Sequence, residues 1–88
     1  METILLDGRC LKQKDRAHRY LKRKFQFPDY YGNNLDAMWD LLTENCEPMT
    51  VIVRYSRPLL EEEGYGARIL RVLGQVEEER EGFSLELQ

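Results

Sequence analysis

The stretch Thr50-Val51-Ile52-Val53-Arg54-Tyr55 decides the fold. Three β-branched apolar residues in a row, soon after Pro48, read as a strand. An apolar run without alternation is expected where both faces of a strand are covered, as in a parallel sheet. Toward the start of the chain, Thr3-Ile4-Leu5-Leu6 is β-prone and stops at the turn dipeptide Asp7-Gly8. Toward the other end, Phe83-Ser84-Leu85-Glu86-Leu87 alternates strictly, as a one-sided or edge strand should.

The segments between these strands carry helical periodicity. Asp15 is placed to cap a helix over 15–24, in which Ala17, Tyr20, Leu21 and Phe25 form one apolar stripe. His18 sits beside that stripe and reads as a surface or boundary side chain. Pro28 ends the segment. In the loop that follows, Asp29-Tyr30-Tyr31-Gly32-Asn33-Asn34, Gly32 is suited to positive φ. Asn33 or Asn34 then caps a second helix with Asp36 in its first turn, where an anion suits the helix dipole. Leu35, Met38, Trp39 and Leu42 make its buried face, and Cys46-Glu47-Pro48 closes it. Pro58 suits the first position of a short helical turn, and Gly64 and Gly66 read as breakers. The last helix is expected from about residue 67, with Ile69, Val72, Leu73 and Val76 inward and Gly74 weakening it. Strands separated by helices imply an α/β fold, with a small three-stranded parallel sheet packed by about four helices.

Composition narrows the function. With 88 residues the chain has room for one core and little for a cofactor cradle. No apolar run approaches the ~20 residues of a membrane span, and Met1-Glu2-Thr3-Ile4 does not open a secretory signal. Cys10 and Cys46 offer neither a disulfide framework nor zinc ligands, so both are expected to be free thiols in a cytoplasmic protein. No cofactor and no metal are implied. The 13 basic and 16 acidic residues are segregated. Arg9, Lys12, Lys14, Arg16, Arg19, Lys22, Arg23 and Lys24 crowd the stretch 9–24 with only Asp15 among them, whereas residues 25–53 hold five acids and no Lys or Arg.

Asp36, Asp40 and Glu44 recur every four residues, which stacks three carboxylates along one helix face. Each like-charge neighbour at that spacing costs about 0.2–0.5 kcal/mol, and the dipole relieves only the first turn. A cationic partner outside the helix explains the stripe better than local chemistry does. Paired carboxylates can also do acid–base work or hold a hard cation. No nucleophile–base pair, phosphate loop or nucleotide fingerprint accompanies them, so an enzyme is not expected. Tyr30 and Tyr31, read as exposed beside the stripe, add the aromatic area typical of protein interfaces. The competing reading is a nucleic-acid-binding module that uses the basic helix over 12–24. Against it, no aromatic platform interleaves with those lysines, so direct nucleic-acid binding is not expected.

Residues 27–43, which read Phe-Pro-Asp-Tyr-Tyr-Gly-Asn-Asn-Leu-Asp-Ala-Met-Trp-Asp-Leu-Leu-Thr, resemble the signature segment of the barstar family, intracellular inhibitors of the ribonuclease barnase. The looser likeness spans nearly the whole chain, so residues 1–88 are expected to form a single barstar-like domain. The resemblance implies a non-enzymatic inhibitor that plugs the active site of a basic, extracellular-type ribonuclease with its second helix and adjoining loop. Tyr30 would stack at the guanine side of the enzyme, Asp36 would meet basic residues at the rim, and Asp40 would take the place of the scissile phosphate. Gly32 and Asn34 would shape the loop, with Tyr31 beside them. Leu35 and Trp39 would anchor the helix, and Thr43 would touch the partner from its end. Where the family has Gly and an aromatic after that Thr, this chain has Glu44 and Asn45. On the last helix the family's partner-facing acid aligns with the neutral Gln75, and Glu79 is the acid one turn on. The free protein is expected to be monomeric.

Overall fold

A computed structural model describes residues 2–44 and 47–88. Its order is β1 (Glu2–Asp7), a 3-10 turn (Gly8–Cys10), α1 (Lys14–Phe25), α2 (Leu35–Glu44), β2 (Met49–Arg54), α3 (Ser56–Glu62), α4 (Tyr65–Glu79) and β3 (Phe83–Leu87). The three strands form one parallel sheet in the order β1-β2-β3, with Ile4 opposite Val51 and Val51 opposite Leu85. The α/β architecture with four helices is the one the sequence implies.

That register fixes the two faces of the sheet. Ile4, Leu6, Met49, Val51, Val53 and Phe83 point to one side and are buried. Against them lie Ala17 and Leu21 of α1, Met38 and Leu42 of α2, Leu59 of α3, and Ile69, Leu70, Leu73 and Val76 of α4. The other side is open. Thr3, Leu5, Ser84 and Glu86 are exposed there, and Thr50 and Ile52 are half-buried. Two-sided cover of β2 is therefore corrected to a two-layer arrangement. Ile52 is shielded partly by its register neighbours Leu5 and Glu86 rather than by a helix.

Both sheet rims are occupied at one point by a side chain. The Asp7 amide at the end of β1 donates to the Tyr20 hydroxyl at 2.8 Å. On the opposite rim the Leu85 amide donates to a Glu77 carboxylate oxygen, also at 2.8 Å. Each satisfies a backbone donor that the sheet leaves unpaired.

Several local expectations change. The cap of α1 is Gln13, whose side chain accepts from the Arg16 amide, so Asp15 lies inside the first turn. Asn33 takes the left-handed conformation (φ 54°) in the loop before α2, and Gly32 does not. Asn tolerates that region through its short polar side chain. Asn34 is the cap of α2, its Oδ1 accepting from the Ala37 amide at 2.8 Å. Pro58 is the third residue of α3, still within the turn whose N–H groups have no helical partner. Gly66 lies inside α4 and not before it. A Cβ there would come within 2.6 Å of Leu59 Cδ2, so the missing side chain lets α3 and α4 close on each other. The expected closure of α2 by Cys46, like Asn45, falls outside the described residues.

Gly8 and Gly74 make a pair of opposite cases. A Cβ on Gly8 would stand 2.6 Å from the carbonyl oxygens of both Arg54 and Tyr55, where β1 ends against the end of β2. A Cβ on Gly74 meets nothing within 4 Å, and α4 runs unbroken through it. Gly74→Ala is accordingly expected to raise stability by about 0.5–1 kcal/mol through helix propensity. Gly8→Ala is expected to lower it by about 1–3 kcal/mol through overpacking against backbone. Urea unfolding of the two variants checks both signs.

Candidate functional site

The acidic helix owes its orientation to its apolar residues. Met38 and Leu42 are fully buried and set the inward face of α2, with Leu35, Ala37, Trp39 and Leu41 half-buried around them. Leu35 and Trp39 are thus flanking contacts, not the centre of the buried stripe. Asp36, Asp40 and Glu44 fall on the outward side and are exposed. Among the described residues neither Asp36 nor Asp40 makes an ion pair.

Two hollows border the helix. One, about 250 Å³, is lined by Tyr30, Tyr31, Gly32, Ala37, Asp40, Leu41 and Glu44. The structure therefore brings Asp40 and Glu44 together with the tyrosine loop. The other, about 370 Å³, joins Asn34, Leu35 and Asp36 to Lys14 of α1 and to Tyr65, Arg68 and Val72 of α4. Asp36 thus shares its groove with two cations distant in sequence. Asp40 shares its hollow with none. Thr43 is half-buried and donates its hydroxyl to the Trp39 carbonyl at 2.7 Å. Glu79 is exposed in the last turn of α4 and stands outside both hollows.

Of the two loop tyrosines only Tyr30 is a surface residue. It is 80% exposed, whereas Tyr31 is 5% exposed and belongs to the core. The expectation that Tyr31 is exposed is corrected, and the cause is His18. That histidine is fully buried, not a surface or boundary residue. Its Nδ1 lies 2.7 Å from the Tyr31 hydroxyl and its Nε2 lies 2.6 Å from the Tyr65 hydroxyl. A neutral imidazole has one donor and one acceptor nitrogen, so one phenol accepts from it and the other donates. Burial holds its pKa below the ordinary 6.5, and the Lys14 charge pushes the same way against a smaller opposing effect of Asp15. Burial likewise raises both phenols, with Tyr65 adding to the effect at Tyr31 and Arg68 opposing it at Tyr65. All three rings are therefore neutral at pH 7.

A second tie also escaped the sequence reading. Arg80, just past α4, is 8% exposed. Its Nη1 donates to the Leu42 carbonyl at 3.0 Å, and its Nη2 donates to the Glu47 carbonyl. A guanidinium so placed satisfies the Leu42 carbonyl, which the last turn of α2 leaves open, and ties it to the Glu47 carbonyl in the segment that leads into β2. The signal available was a single cation inside the run Glu77-Glu78-Glu79-Arg80-Glu81.

Fold and site together define a two-layer α/β protein that displays an acidic helix on packed, hydrogen-bonded supports. A family model described as Barstar (barnase inhibitor) matches residues 1–88. A relative from Bacillus subtilis (strain 168), named "Putative ribonuclease inhibitor YrdF", is 39% identical over 83 aligned residues, covering 90% of this chain and 89% of that protein. The chain belongs to the barstar family.

The buried imidazole gives a pH signature. Unfolded, His18 takes up a proton near pH 6.5; folded, it does so only at lower pH. Its contribution is fully present above pH 6.5 and is lost as pH falls from there through the depressed folded-state value. The slope has a ceiling of about 1.4 kcal/mol per pH unit for one proton. Unfolding free energies measured from pH 7.5 down to pH 5 are expected to decline, and His18→Gln is expected to flatten the decline while lowering stability at pH 7.5.

Proposed function

We propose that this chain is an inhibitor of a basic, barnase-like ribonuclease and has no catalytic activity of its own. It acts as a monomer in the cytoplasm and needs no cofactor or metal. The observation that carries the reading is the exposure of Asp36 and Asp40, without ion pairs among the described residues, with Asp40 in the hollow that the projecting Tyr30 lines. The family description names barnase inhibitors, and the Bacillus subtilis relative carries a ribonuclease-inhibitor name.

The chemistry is substitution of one anion for another. An enzyme that cleaves RNA must hold a phosphate with cationic donors, and a carboxylate fixed in the same place satisfies those donors through charge-assisted hydrogen bonds. Asp40 is the residue assigned to that place, with Asp36 and Glu44 meeting basic groups on either side. Tyr30 supplies stacking area. Gly32 and Asn34 hold the loop close to the helix, Thr43 contacts the partner from the helix end, and Glu79 adds charge at the periphery. Tyr31 contributes from beneath by setting the loop, so its role is positioning. Because α2 is held by Met38, Leu42 and Arg80, little conformational freedom remains to be lost on binding, which favours affinity. The acidic face also speeds encounter with a basic partner, an effect that salt screens. Glu44 and Gln75 differ from the family pattern at contact positions and tune which ribonuclease is held most tightly.

Co-expression with a panel of basic secreted-type ribonucleases, barnase among them, tests this reading through rescue of bacterial growth. Rescue is expected from the natural chain and lost with Asp40→Ala. In purified form that substitution is expected to weaken inhibition at least about 30-fold, the ~2 kcal/mol that marks an interface hot spot. Ser84→Ala, on the open sheet face, is expected to leave it unchanged. Equal rescue by the natural and Asp40→Ala chains, or none from any member of the panel, counts against the reading.

A further inference from the structure

The basic residues in and around α1 do not simply balance the acids of α2. Among the described residues, Lys12 pairs with Glu62, Lys22 with Asp29 and Arg9 with Asp7. Arg16, Arg19, Arg23, Lys24 and Arg54 make no salt bridge among the described residues, although Arg54 lies near enough to Asp7 to help lower its pKa. Arg16, Arg19 and Arg23 line one open depression of about 330 Å³ together with Tyr20 and Cys10. Arg9, Lys24 and Arg54 line a second, about 230 Å³, together with Leu5, Leu6, Asp7, Tyr20 and Tyr55. Tyr20 lines both, so the two depressions adjoin near the carboxyl ends of β1 and β2, with six cations and the single acid Asp7 among their lining residues.

This surface also contains the aromatic element that the sequence alone did not place there. Tyr55 is 47% exposed, and the guanidinium of Arg9 lies 4.2 Å from its ring centroid, with that of Arg54 at 5.6 Å. Arg23 lies 5.7 Å from the Tyr20 centroid. A guanidinium held over a tyrosine ring, as Arg9 is over Tyr55, offers a charged, polarisable platform for a base while neighbouring cations meet phosphates. The spacing agrees. From Arg16 to Arg23 the helix rises ~10 Å, about three nucleotides of a stacked strand at ~3.4 Å each.

We propose that this face binds a single-stranded polynucleotide, with Arg16, Arg19, Arg23, Lys24 and Arg54 on the phosphates and the Arg9–Tyr55 stack against a base. An acidic protein would use the cations but leave the arginine–tyrosine stacks without a purpose, and a duplex would hide its base faces. The site is independent of the acidic helix α2. The proposal departs from the expectation of no direct nucleic-acid binding, which rests on the lack of an interleaved aromatic and on the acidic net charge, because the fold places Tyr20 and Tyr55 among the cations.

Fluorescence anisotropy with labelled 12-nucleotide single strands, one of RNA and one of DNA, tests the proposal on the full chain between 50 and 200 mM salt. Binding is expected to fall with salt at a log–log slope of about −3.5 if all five cations engage. The triple variant Arg16→Ala/Arg19→Ala/Arg23→Ala is expected to bind more than about tenfold more weakly and with a slope shallower by about 2. Tyr55→Asn, which keeps a residue tolerant of the left-handed backbone at this position (φ 58°), is expected to weaken binding about fivefold or more without altering the slope. Ser84→Ala is the control, and circular dichroism melts show that each variant is folded. Tighter binding of RNA than of DNA identifies RNA as the strand recognised, and equal binding identifies the shared phosphate and base chemistry. No binding at 50 mM salt overturns the proposal. So does equal binding of polyglutamate or of a duplex of the same length, or a folded triple variant that binds as the natural chain does.

Discussion

One buried imidazole holds the working parts of this molecule in register. His18 comes from α1, Tyr31 from the loop that leads into α2, and Tyr65 from the first residue of α4. Two short hydrogen bonds through a single neutral ring join the three. A buried polar group left unpaired costs about 1–3 kcal/mol, so each partner constrains the other two. Because Tyr31 is held inward, its neighbour Tyr30 is carried outward at the edge of the hollow that contains Asp40. Stacking of Phe25 on Phe27, and the tilted contact of Phe27 with Tyr31, continue the same anchor along the loop. The exposed acidic face is thus a consequence of interior chemistry, set before any partner is met.

The two ends of α2 are secured differently. At its start Asn34 accepts from the Ala37 amide and donates to the Gly32 carbonyl, tying cap and loop together. At its finish the Arg80 guanidinium, lying over the Phe83 ring, takes the Leu42 carbonyl. Between them Met38 and Leu42 supply the burial. A helix fixed at cap, core and end keeps its carboxylates in one arrangement despite their mutual repulsion.

The pattern of what the sequence disclosed has a physical explanation. Strands and helices were legible because their signals are local: the Val-rich run at 51–53, the period of α4, the Asn-rich cap of α2. The character of the acidic face was legible because an i, i+4 series of carboxylates is visible in one dimension. His18 was misread through the choice of stripe. Taken with Leu21 and Phe25 it falls at offsets 0, 3 and 7, an inward face as regular as the one that began at Ala17. Tyr31 then followed His18 inward, since nothing in a Tyr-Tyr pair says which ring is buried. Two-sided cover of β2 was overturned because Leu5 and Glu86, distant in sequence, shield Ile52 from within the sheet. The partnership of Arg80 with Leu42, 38 residues away, and the meeting of Tyr20 with Tyr55 around one surface, depend on tertiary closure that no window of sequence contains.

The side chains at the sheet rims have a consequence for how the protein behaves when crowded. A three-stranded parallel sheet ends in two rows of backbone groups, and a neighbouring molecule can add a strand to either. Here a phenol from α1 sits on one row and a carboxylate from α4 on the other. A docking strand would have to displace a hydrogen bond already made, and on the Glu77 side it would also meet a negative charge. Small as it is, the protein thereby raises, at one point on each margin, the cost of the edge-to-edge strand addition from which fibrils grow.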